Sequence, residues 1–444
     1  MWIKIPDGAN YIIETLQSAG FEAYAVGGCV RDSVLGREPQ DWDITTSARP
    51  EQVKALFPYT VDTGLQHGTV TVLRERVGYE VTTYRIDGVY EDGRHPKEVT
   101  FTPSLREDLR RRDFTINAMA YNDRAGLIDI FGGMEDIREG IIRCVGSARE
   151  RFGEDALRML RAIRFSAQLG YRIDGEALEG IRQLASALRN ISAERIQAEL
   201  VKILTSPHPD RLREAYWLGI TKIFLPEFDR AMETEQNHPH HKYSVGEHIL
   251  QSMLAVRADR ILRLTMLLHD IGKPAVRTVD DDGITHFYDH AAVSAELARK
   301  ILRRLKFDNE TTARVCRLVM YHDYGNSVDP TMRILRRALN RIGEDAFPAL
   351  FEVKRADLAA QSDYLREEKQ ERLKNWEEMY EEVQRQKQCV SLKTLAVSGS
   401  DLIAAGMKPG RELGAVLQGL LELVLEEPSR NTREELLEEA AKMM

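Results

Sequence analysis

The chain contains few cysteines and no long apolar run. Its four cysteines lie far apart, and no Cys-x-x-Cys pair occurs. This spacing argues against a disulfide framework or a zinc knot and favours reduced thiols. No apolar segment approaches the ~20 residues that a membrane-spanning helix requires. The first residues lack the charged and apolar regions of a secretory signal. We therefore expect a soluble, cytoplasmic protein that makes no contact with a membrane.

The chain also lacks an excess of basic charge. Its formal net charge is −8, which argues against indiscriminate nucleic-acid binding but leaves room for a local basic groove. A hydrophobic content of 43% supplies enough apolar side chains for substantial cores. The length of 444 residues predicts about three domains.

The secondary-structure signal changes along the chain. Before about residue 140, short β-branched runs at 22–26, 69–73 and 79–84 predict strands, and residues 50–57 predict a short helix. After about residue 147, apolar residues recur at helical spacing. The pattern predicts an α+β protein, in which a head with a small mixed sheet precedes an all-helical remainder. The segments with the clearest helical periodicity are 150–169, 193–204, 245–268 and 291–306.

Two acidic residues and a diglycine suggest a nucleotide site in the head. Asp41 and Asp43 are two residues apart, so in an extended strand both carboxylates point to one face. Upstream, Gly27 and Gly28 follow an apolar run and precede a predicted helix start, where free backbone amides can cradle a phosphate. A phosphate cradle beside two hard oxygen ligands suits Mg²⁺-dependent phosphoryl or nucleotidyl transfer. Without the glycines, Asp-x-Asp alone more often marks a solvated strand.

Three further segments supply residues that such a site would need. Glu80, on a neighbouring predicted strand, is a candidate third carboxylate. Arginines in the segment 106–118 offer guanidinium forks for a triphosphate, and Asp113 and Asn117 can bind ribose hydroxyls. The phosphate-binding candidates are Gly27, Gly28, Arg31 and Arg112.

A base-reading pair is predicted further along the chain. Asp155 and Arg158 are three residues apart on a predicted helix and so would share a face, which Arg161 extends by one turn. Cytosine and adenine both present an amine donor beside a ring-nitrogen acceptor. A carboxylate acceptor next to a guanidinium donor complements that edge and opposes guanine and uracil. The alternative is an ordinary surface ion pair.

These segments, in this order, resemble the class II tRNA nucleotidyltransferase family, which includes bacterial CCA-adding enzymes and poly(A) polymerases. The resemblance implies tRNA, CTP and ATP as partners, Mg²⁺ as cofactor, and no protein partner. It implies metal binding by the Asp-x-Asp pair, ribose selection by Asp113, and protein-templated base reading by Asp155 and Arg158. The matching segments are Gly27-Gly28 with Arg31-Asp32, Asp41-x-Asp43, Arg111-Arg112-Asp113 with Asn117-Ala118, Asp129 to Gly133, and Glu154-Asp155-x-x-Arg158.

Two features distinguish members of this family. Enzymes that add only CC lack a flexible loop between the first two motifs, and residues 87–96 provide a candidate for that loop. Poly(A) polymerases of the family usually end in a basic extension, whereas residues 434–441 are acidic. We expect complete CCA addition, with addition of the terminal A alone as the alternative.

A second cluster of histidines and acids resembles the HD phosphohydrolase family. An adjacent pair, His269 and Asp270, ends an apolar helix, and further candidates flank it in both directions. Imidazole and carboxylate ligands suit a divalent transition metal. The resemblance implies a first ion on His248, His269, Asp270 and Asp357, with His290 and His322 available for a second. Such a site could hydrolyse phosphomonoesters or 2′,3′-cyclic phosphates at RNA ends. Residues 238–241 are more typical of an exposed loop.

The predicted domains are a nucleotidyltransferase head at 1–140, a base-selecting helical neck at 141–205, an HD-type body at 206–362 and a helical tail at 363–444. The charged stretch 366–388 predicts a solvated helix in the tail, which we expect to contact tRNA. Two rival functions remain. One is a phosphohydrolase whose head only binds nucleotide or RNA, and the other is a non-enzymatic tRNA chaperone.

Overall fold

A computed structural model describes residues 2–88, 99–326 and 328–443. The chain forms two compact units, Met1–Pro226 and Glu227–Met444. The finer division into head, neck, body and tail stays a prediction. In the described residues, no helix combines the length and apolar character that crossing a membrane requires.

The first unit contains a seven-stranded mixed sheet. Its strand order is β3-β4-β5-β2-β1-β8-β9, in which only β2 and β5 pair in parallel. Two short pairs, β6 with β7 and β10 with β11, lie outside this sheet. The strands are Ala23–Val26 (β1), Ile44–Thr46 (β2), Thr60–Gly64 (β3), Thr69–Arg74 (β4), Val77–Thr83 (β5), Arg85–Asp87 (β6), Val99–Phe101 (β7), Met119–Asn122 (β8), Gly126–Asp129 (β9), Ile141–Ile142 (β10) and Arg172–Ile173 (β11).

Helices surround this sheet and then continue without it. The apolar stripe of the first helix, including Ile12 and Leu16, is buried in one core with Val30, Ile44 and Val70. The helices of this unit are Asp7–Ser18 (α1), Gly28–Val34 (α2), Pro50–Leu56 (α3), Leu105–Arg110 (α4), Gly133–Glu139 (α5), Ala148–Glu154 (α6), Leu157–Leu169 (α7), Gly175–Leu184 (α8), Ala193–Leu204 (α9), Leu212–Trp217 (α10) and Thr221–Phe224 (α11).

The second unit is helical apart from one short pair of strands. Its largest core gathers Leu335, Leu350, Leu420 and Val424 with neighbouring apolar side chains. Its elements are Pro226–Met232 (α12), which begins with the last residue of the first unit, Val245–Ala255 (α13), Arg260–Leu268 (α14), Lys273–Val276 (α15), Thr278–Val279 (β12), Thr285–His286 (β13), His290–Arg304 (α16), Asn309–Tyr321 (α17), Met332–Ile342 (α18), Phe347–Ala360 (α19), Arg366–Arg385 (α20), Gly399–Ala404 (α21), Arg411–Glu426 (α22) and Arg433–Met443 (α23).

The predicted helix over 245–268 is two helices, α13 and α14. Asp259 starts the second one, because its carboxylate accepts the backbone amides of Ile261 and Leu262. In one straight helix His248 and His269 would lie about 30 Å apart. The break lets α13 pack on α14 and brings the two imidazoles together.

Candidate active sites

The two head aspartates lie just before strand β2 rather than within it. Asp41 and Asp43 occupy an extended approach to Ile44, and the side chains along this approach alternate between exposed and buried. Trp42 and Ile44 point into the core, at 9% and 0% exposure. Both carboxylates therefore reach the same exposed face, as the i, i+2 spacing predicts.

Glu80 lies beside Asp43. In the parallel pairing of β2 with β5, Ile44 is opposite Val81. The residues that precede them, Asp43 and Glu80, are therefore neighbours on adjacent strands. Partial burial raises the pKa of Glu80, and the negative charges of Asp43 and Asp41 raise it further. Burial likewise raises the pKa of Asp43, against the attraction of Arg112 and together with the repulsion of Asp41. Mutual repulsion of this kind is relieved by a bound cation. Among the described residues, however, these three carboxylates do not form a group whose ligand atoms all lie within 4.8 Å of one another.

The diglycine forms the tight entry into helix α2. Gly27 has φ = +84°, in the left-handed region that favours glycine. A Cβ there would lie 3.1 Å from Nη1 of Arg112, so the missing side chain leaves room for that guanidinium. The Gly27 amide donates to the Met119 carbonyl at 3.2 Å. An anion would therefore meet the amides of the first helical turn, starting at Gly28, rather than that of Gly27.

A chain of buried polar contacts starts at Arg31. Its Nη1 donates to Oδ1 of Asn117 at 2.7 Å, and the Asn117 amide donates to Oδ1 of Asp113 at 3.3 Å. Oδ2 of Asp113 accepts Nε of Arg161 at 2.7 Å. Residues predicted separately for phosphate, ribose and base contacts therefore form one network, which joins α2 to α7.

Asp113 is an ionised anchor within this network. Burial alone would raise its pKa, but Arg161 and Arg158 hold the pKa of this carboxyl well below its usual range. Its oxygens already accept hydrogen bonds from Phe114, Asn117 and Arg161. To bind a ribose hydroxyl as predicted, Asp113 would have to accept a further hydrogen bond on oxygens that already accept from protein donors.

The prediction that Asp155 and Arg158 share one helix is wrong. Asp155 has extended backbone angles (φ −141°, ψ 105°) between α6 and α7, and its Oδ1 accepts the amide of Leu157 at 3.0 Å. This local bond replaces helix continuation. Arg195 on α9 forms an ion pair with the same carboxylate, and its Nη2 donates to Oδ2 of Asp155 at 2.6 Å.

Arg158 takes different partners. Its guanidinium pairs with Glu154 and donates to the carbonyls of Arg151 and Arg111, the latter two at 3.2 Å. Asp155 and Arg158 thus lie near each other at the head of α7, each held by other groups. Sequence reasoning missed Arg195 because its partner is 40 positions away and no local pattern links them.

The segment from Asp129 to Gly133 forms a rigid turn into α5. The two oxygens of Asp129 accept the amides of Gly133 and Met134, each at 2.8 Å. Gly132 has φ = +78°, and a Cβ on Gly133 would collide with the carbonyl of Thr115. This turn therefore packs directly on the 3₁₀ segment Thr115–Asn117.

The second unit gathers six predicted ligands into two groups of three. One ligand atom from each member lies within 4.8 Å of the others in its group. The groups are His248, His269 and Asp357, and Asp270, His290 and His322.

The four imidazoles all point Nε2 into the cluster, while Nδ1 faces a backbone carbonyl. Nδ1 of His269, His290 and His322 lies 2.8–2.9 Å from the carbonyls of Met266, Phe287 and Val319. In His248, Nδ1 lies 3.4 Å from the carbonyl of Ala360. A carbonyl can only accept, so Nδ1 carries the proton and Nε2 offers its lone pair. Outer hydrogen bonds of this kind orient metal-ligating histidines.

Asp270 lies between the two groups. Its Oδ2 is 3.4 Å from Nε2 of both His248 and His269, and its Oδ1 is 3.4 Å from Nε2 of His290 and 3.6 Å from that of His322. The resemblance assigned Asp270 to the first ion, whereas its two oxygens are placed to serve both groups.

Several observations show that this cluster fits cations. Oδ2 of buried Asp270 lies 2.7 Å from the Lys273 ammonium, and the two oxygens otherwise face the Nε2 atoms of the four histidines at 3.4–3.6 Å. Burial opposes protonation of His269, yet Asp270 and Asp357 raise its pKa to about 10. A divalent cation would replace that proton and accept lone pairs from these groups.

A cavity of about 430 Å³ opens onto this cluster. His238, His240 and His241 are half-buried in its wall rather than exposed in a solvent loop, which corrects the prediction for that segment. Burial chiefly lowers the pKa of His241 to about 3, so this side chain is neutral near pH 7. Four cationic residues also line the cavity, namely Lys273, Lys354, Lys369 and Arg372.

Comparison with protein families gives three matches along the chain. Residues 23–143 match the poly A polymerase head domain. Residues 170–232 match a "Probable RNA and SrmB- binding site of polymerase A", and residues 278–440 match tRNA nucleotidyltransferase domain 2.

Curated relatives agree with these matches. The CCA-adding enzyme of Levilactobacillus brevis is 36% identical over 420 residues, which are 93% of this chain and 91% of that protein. The CCA-adding enzyme of Lactiplantibacillus plantarum is 53% identical over 201 residues, a match that spans 45% of this chain and only 49% of that relative. The crystal structure of Bacillus stearothermophilus CCA-adding enzyme in complex with CTP has a TM-score of 0.74 and 30% identity, with 99% of this chain and 98% of that one covered. The chain belongs to the family of CCA-adding enzymes.

Proposed function

We propose that this chain builds the 3′-terminal CCA of tRNA from CTP and ATP without a nucleic-acid template, and that it does so in the cytoplasm. The observation that carries the proposal is the position of Asp41 and Asp43 on one exposed face, next to Glu80 on β5 and to the strand that leads into the Gly27–Gly28 turn, in a chain 36% identical to a CCA-adding enzyme over nearly its full length. The first unit supplies both a metal site and a phosphate site in one place.

In the reaction, the tRNA 3′-hydroxyl attacks the α-phosphate in line, the bond to the β-phosphate oxygen breaks, and pyrophosphate leaves. Asp41 and Asp43, with Glu80 beside them, would hold Mg²⁺, which when bound neutralises charge on the phosphates. Glu80 would add its negative charge to the cation site beside Asp43. Arg31 and Arg112 face the phosphates, and Asp155 with Arg158 reads the base.

The decisive assay uses three tRNA substrates, which end before CCA, after C and after CC. With CTP and ATP, we expect all three to be extended to the same full length. If the shortest one is not extended but the CC form gains A, the chain is an A-adding enzyme instead. The loop predicted to distinguish both of these classes from enzymes that add only CC, residues 87–96, lies mostly outside the described residues.

The Asp41→Asn/Asp43→Asn double variant separates this function from a phosphohydrolase whose head only binds nucleotide. We expect nucleotide incorporation to fall by at least about 10³-fold, as loss of several kcal/mol of charge stabilisation implies. Hydrolysis at the second site should persist. Incorporation at the wild-type rate would refute the carboxylate assignment.

We propose hydrolysis of phosphomonoesters or 2′,3′-cyclic phosphates at RNA ends as a second activity. The two carboxylates, Asp270 and Asp357, and the inward Nε2 atoms of four histidines support it, because they match the ligand set of a first-row divalent metal. In the monoester reaction, water adds to phosphorus, the ester P–O bond breaks, and the alcohol oxygen takes a proton from that water. The test is hydrolysis of p-nitrophenyl phosphate and a 2′,3′-cyclic nucleotide by wild type and Asp270→Asn with Mn²⁺ or Ni²⁺. Equal rates would exclude this site.

A further inference from the structure

Three cations line the cavity outside the metal-binding cluster. Lys354 lies on α19, three residues before Asp357 and therefore on the same helical face. Lys369 and Arg372 lie on α20 with the same spacing. All three side chains contribute to the cavity wall. The helix that the sequence predicts to be merely solvated and to contact tRNA thus forms one side of the second candidate site.

The two lysine ammonium groups donate hydrogen bonds to uncharged oxygens. Lys354 Nζ donates to the carbonyl of Tyr324 and to Oδ1 of Asn326, both at 2.7 Å. Lys369 Nζ donates to Oε1 of Gln361 at 2.9 Å. Because carbonyl and amide oxygens carry no net charge, they fix the ammonium groups in place without neutralising them.

The third cation, Arg372, contacts one neutral oxygen and one exposed carboxylate. Arg372 Nη1 donates to the carbonyl of Asn326 at 2.8 Å, and its Nε contacts Asp329, a side chain that is 92% exposed and so shielded by water. Asp323 and Glu368 also line the cavity and temper its positive charge. The cations outnumber these two acids, so the part of the wall away from the metal ligands favours an anion.

Gln361 connects the cations to the metal cluster. Its Nε2 donates to Oδ2 of Asp357 at 3.0 Å, while its Oε1 accepts from Lys369. Oδ1 of the same Asp357 lies 2.9 Å from Nε2 of His248. Lys369 therefore lies two hydrogen bonds from Asp357, a candidate ligand of the metal cluster.

An apolar surface adjoins the cations. Trp376 is only 6% exposed and lines the cavity together with Leu365 and Leu373. Its indole Nε1 is buried and has no hydrogen-bonding partner among the described residues. An unpartnered buried donor costs free energy unless a ligand accepts from it. The cavity volume of about 430 Å³ lies at the small end of the range for small-molecule pockets.

We infer that Lys354, Lys369 and Arg372 form an anion subsite that binds the phosphoryl group of a nucleoside phosphomonoester, with its sugar or base against Trp376. The inference rests on the proposed hydrolytic function and names the substrate class of that site. Two sources share this chemistry, a free mononucleotide and the terminal nucleotide of an RNA strand.

The test uses the full-length protein loaded with Mn²⁺. Calorimetry measures the affinity for inorganic phosphate, and steady-state kinetics measure KM for a nucleoside monophosphate and for a short RNA with a terminal phosphate. For Lys369→Gln and Arg372→Gln we expect phosphate affinity to fall and KM to rise by about 10-fold or more, as loss of a charged hydrogen bond implies. The Mn²⁺ content should stay unchanged.

Two variants on the same helix serve as controls. Lys374→Gln removes a cation that is 72% exposed and pairs with Glu378, so it should bind phosphate as wild type does. Arg372→Lys keeps the charge and should retain most of the affinity, which a general folding defect would not allow.

The outcomes separate the subsite from the catalytic proposal. If Lys369→Gln and Arg372→Gln bind phosphate as tightly as wild type, the subsite is refuted even where hydrolysis proceeds. If wild type binds phosphate, the variants do not, and no phosphomonoester is cleaved, the subsite stands and the hydrolytic proposal fails. A lower KM for RNA than for the mononucleotide, or the reverse, identifies the source.

Discussion

Asp155 has most of its hydrogen-bonding capacity committed to protein donors. Oδ1 accepts from Leu157 and from Nη1 of Arg195, and Oδ2 accepts from Nη2 of Arg195. A carboxylate offers about four lone-pair positions. In the proposed base-reading role, the position left on Oδ2 is the one that would accept from the exocyclic amine of cytosine or adenine. Arg195 fixes the direction in which that position points.

Arg195→Gln should loosen nucleotide selection. Without the guanidinium fork, the Asp155 carboxylate can rotate, and the donor–acceptor match to the base is lost. We expect the ratio of kcat/KM for CTP to that for UTP to fall by about 10-fold, measured as single-nucleotide incorporation on tRNA that lacks CCA. Lys202→Gln, on the same helix and half-exposed, is the matched control. Unchanged discrimination in Arg195→Gln would contradict this role.

Asp113 gives a prediction about acid stability. Although burial opposes it, Arg161 and Arg158 lower the pKa of Asp113 in the folded state below its unfolded value of ~3.9. Its stabilising contribution is therefore complete above about pH 4 and is lost as the pH falls through the folded value. Asp113→Asn should lower the free energy of unfolding by about 3 kcal/mol at pH 7. The melting-temperature difference from wild type should shrink below pH 4, and a constant difference would argue against this ion pair.

At the level of elements, local sequence predicts strands and helices better than it predicts their breaks. The predicted strands at 69–73 and 79–84 correspond to β4 and β5, and the predicted helix 193–204 is α9 itself. Their side-chain periodicity is a direct consequence of one buried face. Asp155 and Asp259 interrupt two predicted helices, because each side chain accepts a backbone amide two residues ahead. Both aspartates could have been recognised as helix starts.

The partners of the site residues were less accessible to sequence reasoning. Lys354 could have been inferred, since it is one helical turn before Asp357. Arg195 and the pair Lys369 and Arg372 reach their sites from other helices, and their positions depend on tertiary packing that no local pattern encodes. The order of His and Asp residues predicted all six members of the two candidate metal-binding groups, but it left open that Asp270 lies between the groups. Metal binding by these residues stays a prediction.

The turn at Gly132–Gly133 provides a test of element packing. Gly133→Ala should lower the free energy of unfolding by about 1–3 kcal/mol, because the added methyl group collides with the Thr115 carbonyl and with Met119. Gly153→Ala is a control in helix α6, where a Cβ meets nothing within 4 Å. It should be neutral or slightly stabilising. Equal melting temperatures for the two variants would contradict the close approach.

At the scale of the whole molecule, the two candidate sites occupy different compact units. Asp41 and Asp43 belong to the unit that ends at Pro226, and Asp270 belongs to the other. We expect Asp270→Asn to lower the content of transition metal, measured by mass spectrometry, and to leave CCA addition within about two-fold of wild type. Asp43→Asn should abolish most CCA addition and leave the content of transition metal unchanged. Loss of both activities in either single variant would contradict separate sites.

The polar chain from Arg31 through Asn117 and Asp113 to Arg161 has a thermodynamic consequence. It joins α2, the helix proposed to meet the triphosphate, to α7, which carries Arg158 of the pair proposed to read the base. Any change in base affinity that a bound triphosphate causes through this chain must be matched, factor for factor, by a change in triphosphate affinity caused by the base. Binding of a correct base would then raise the affinity for the triphosphate of the same nucleotide. Correct nucleotides would be selected by slower dissociation as well as by initial binding.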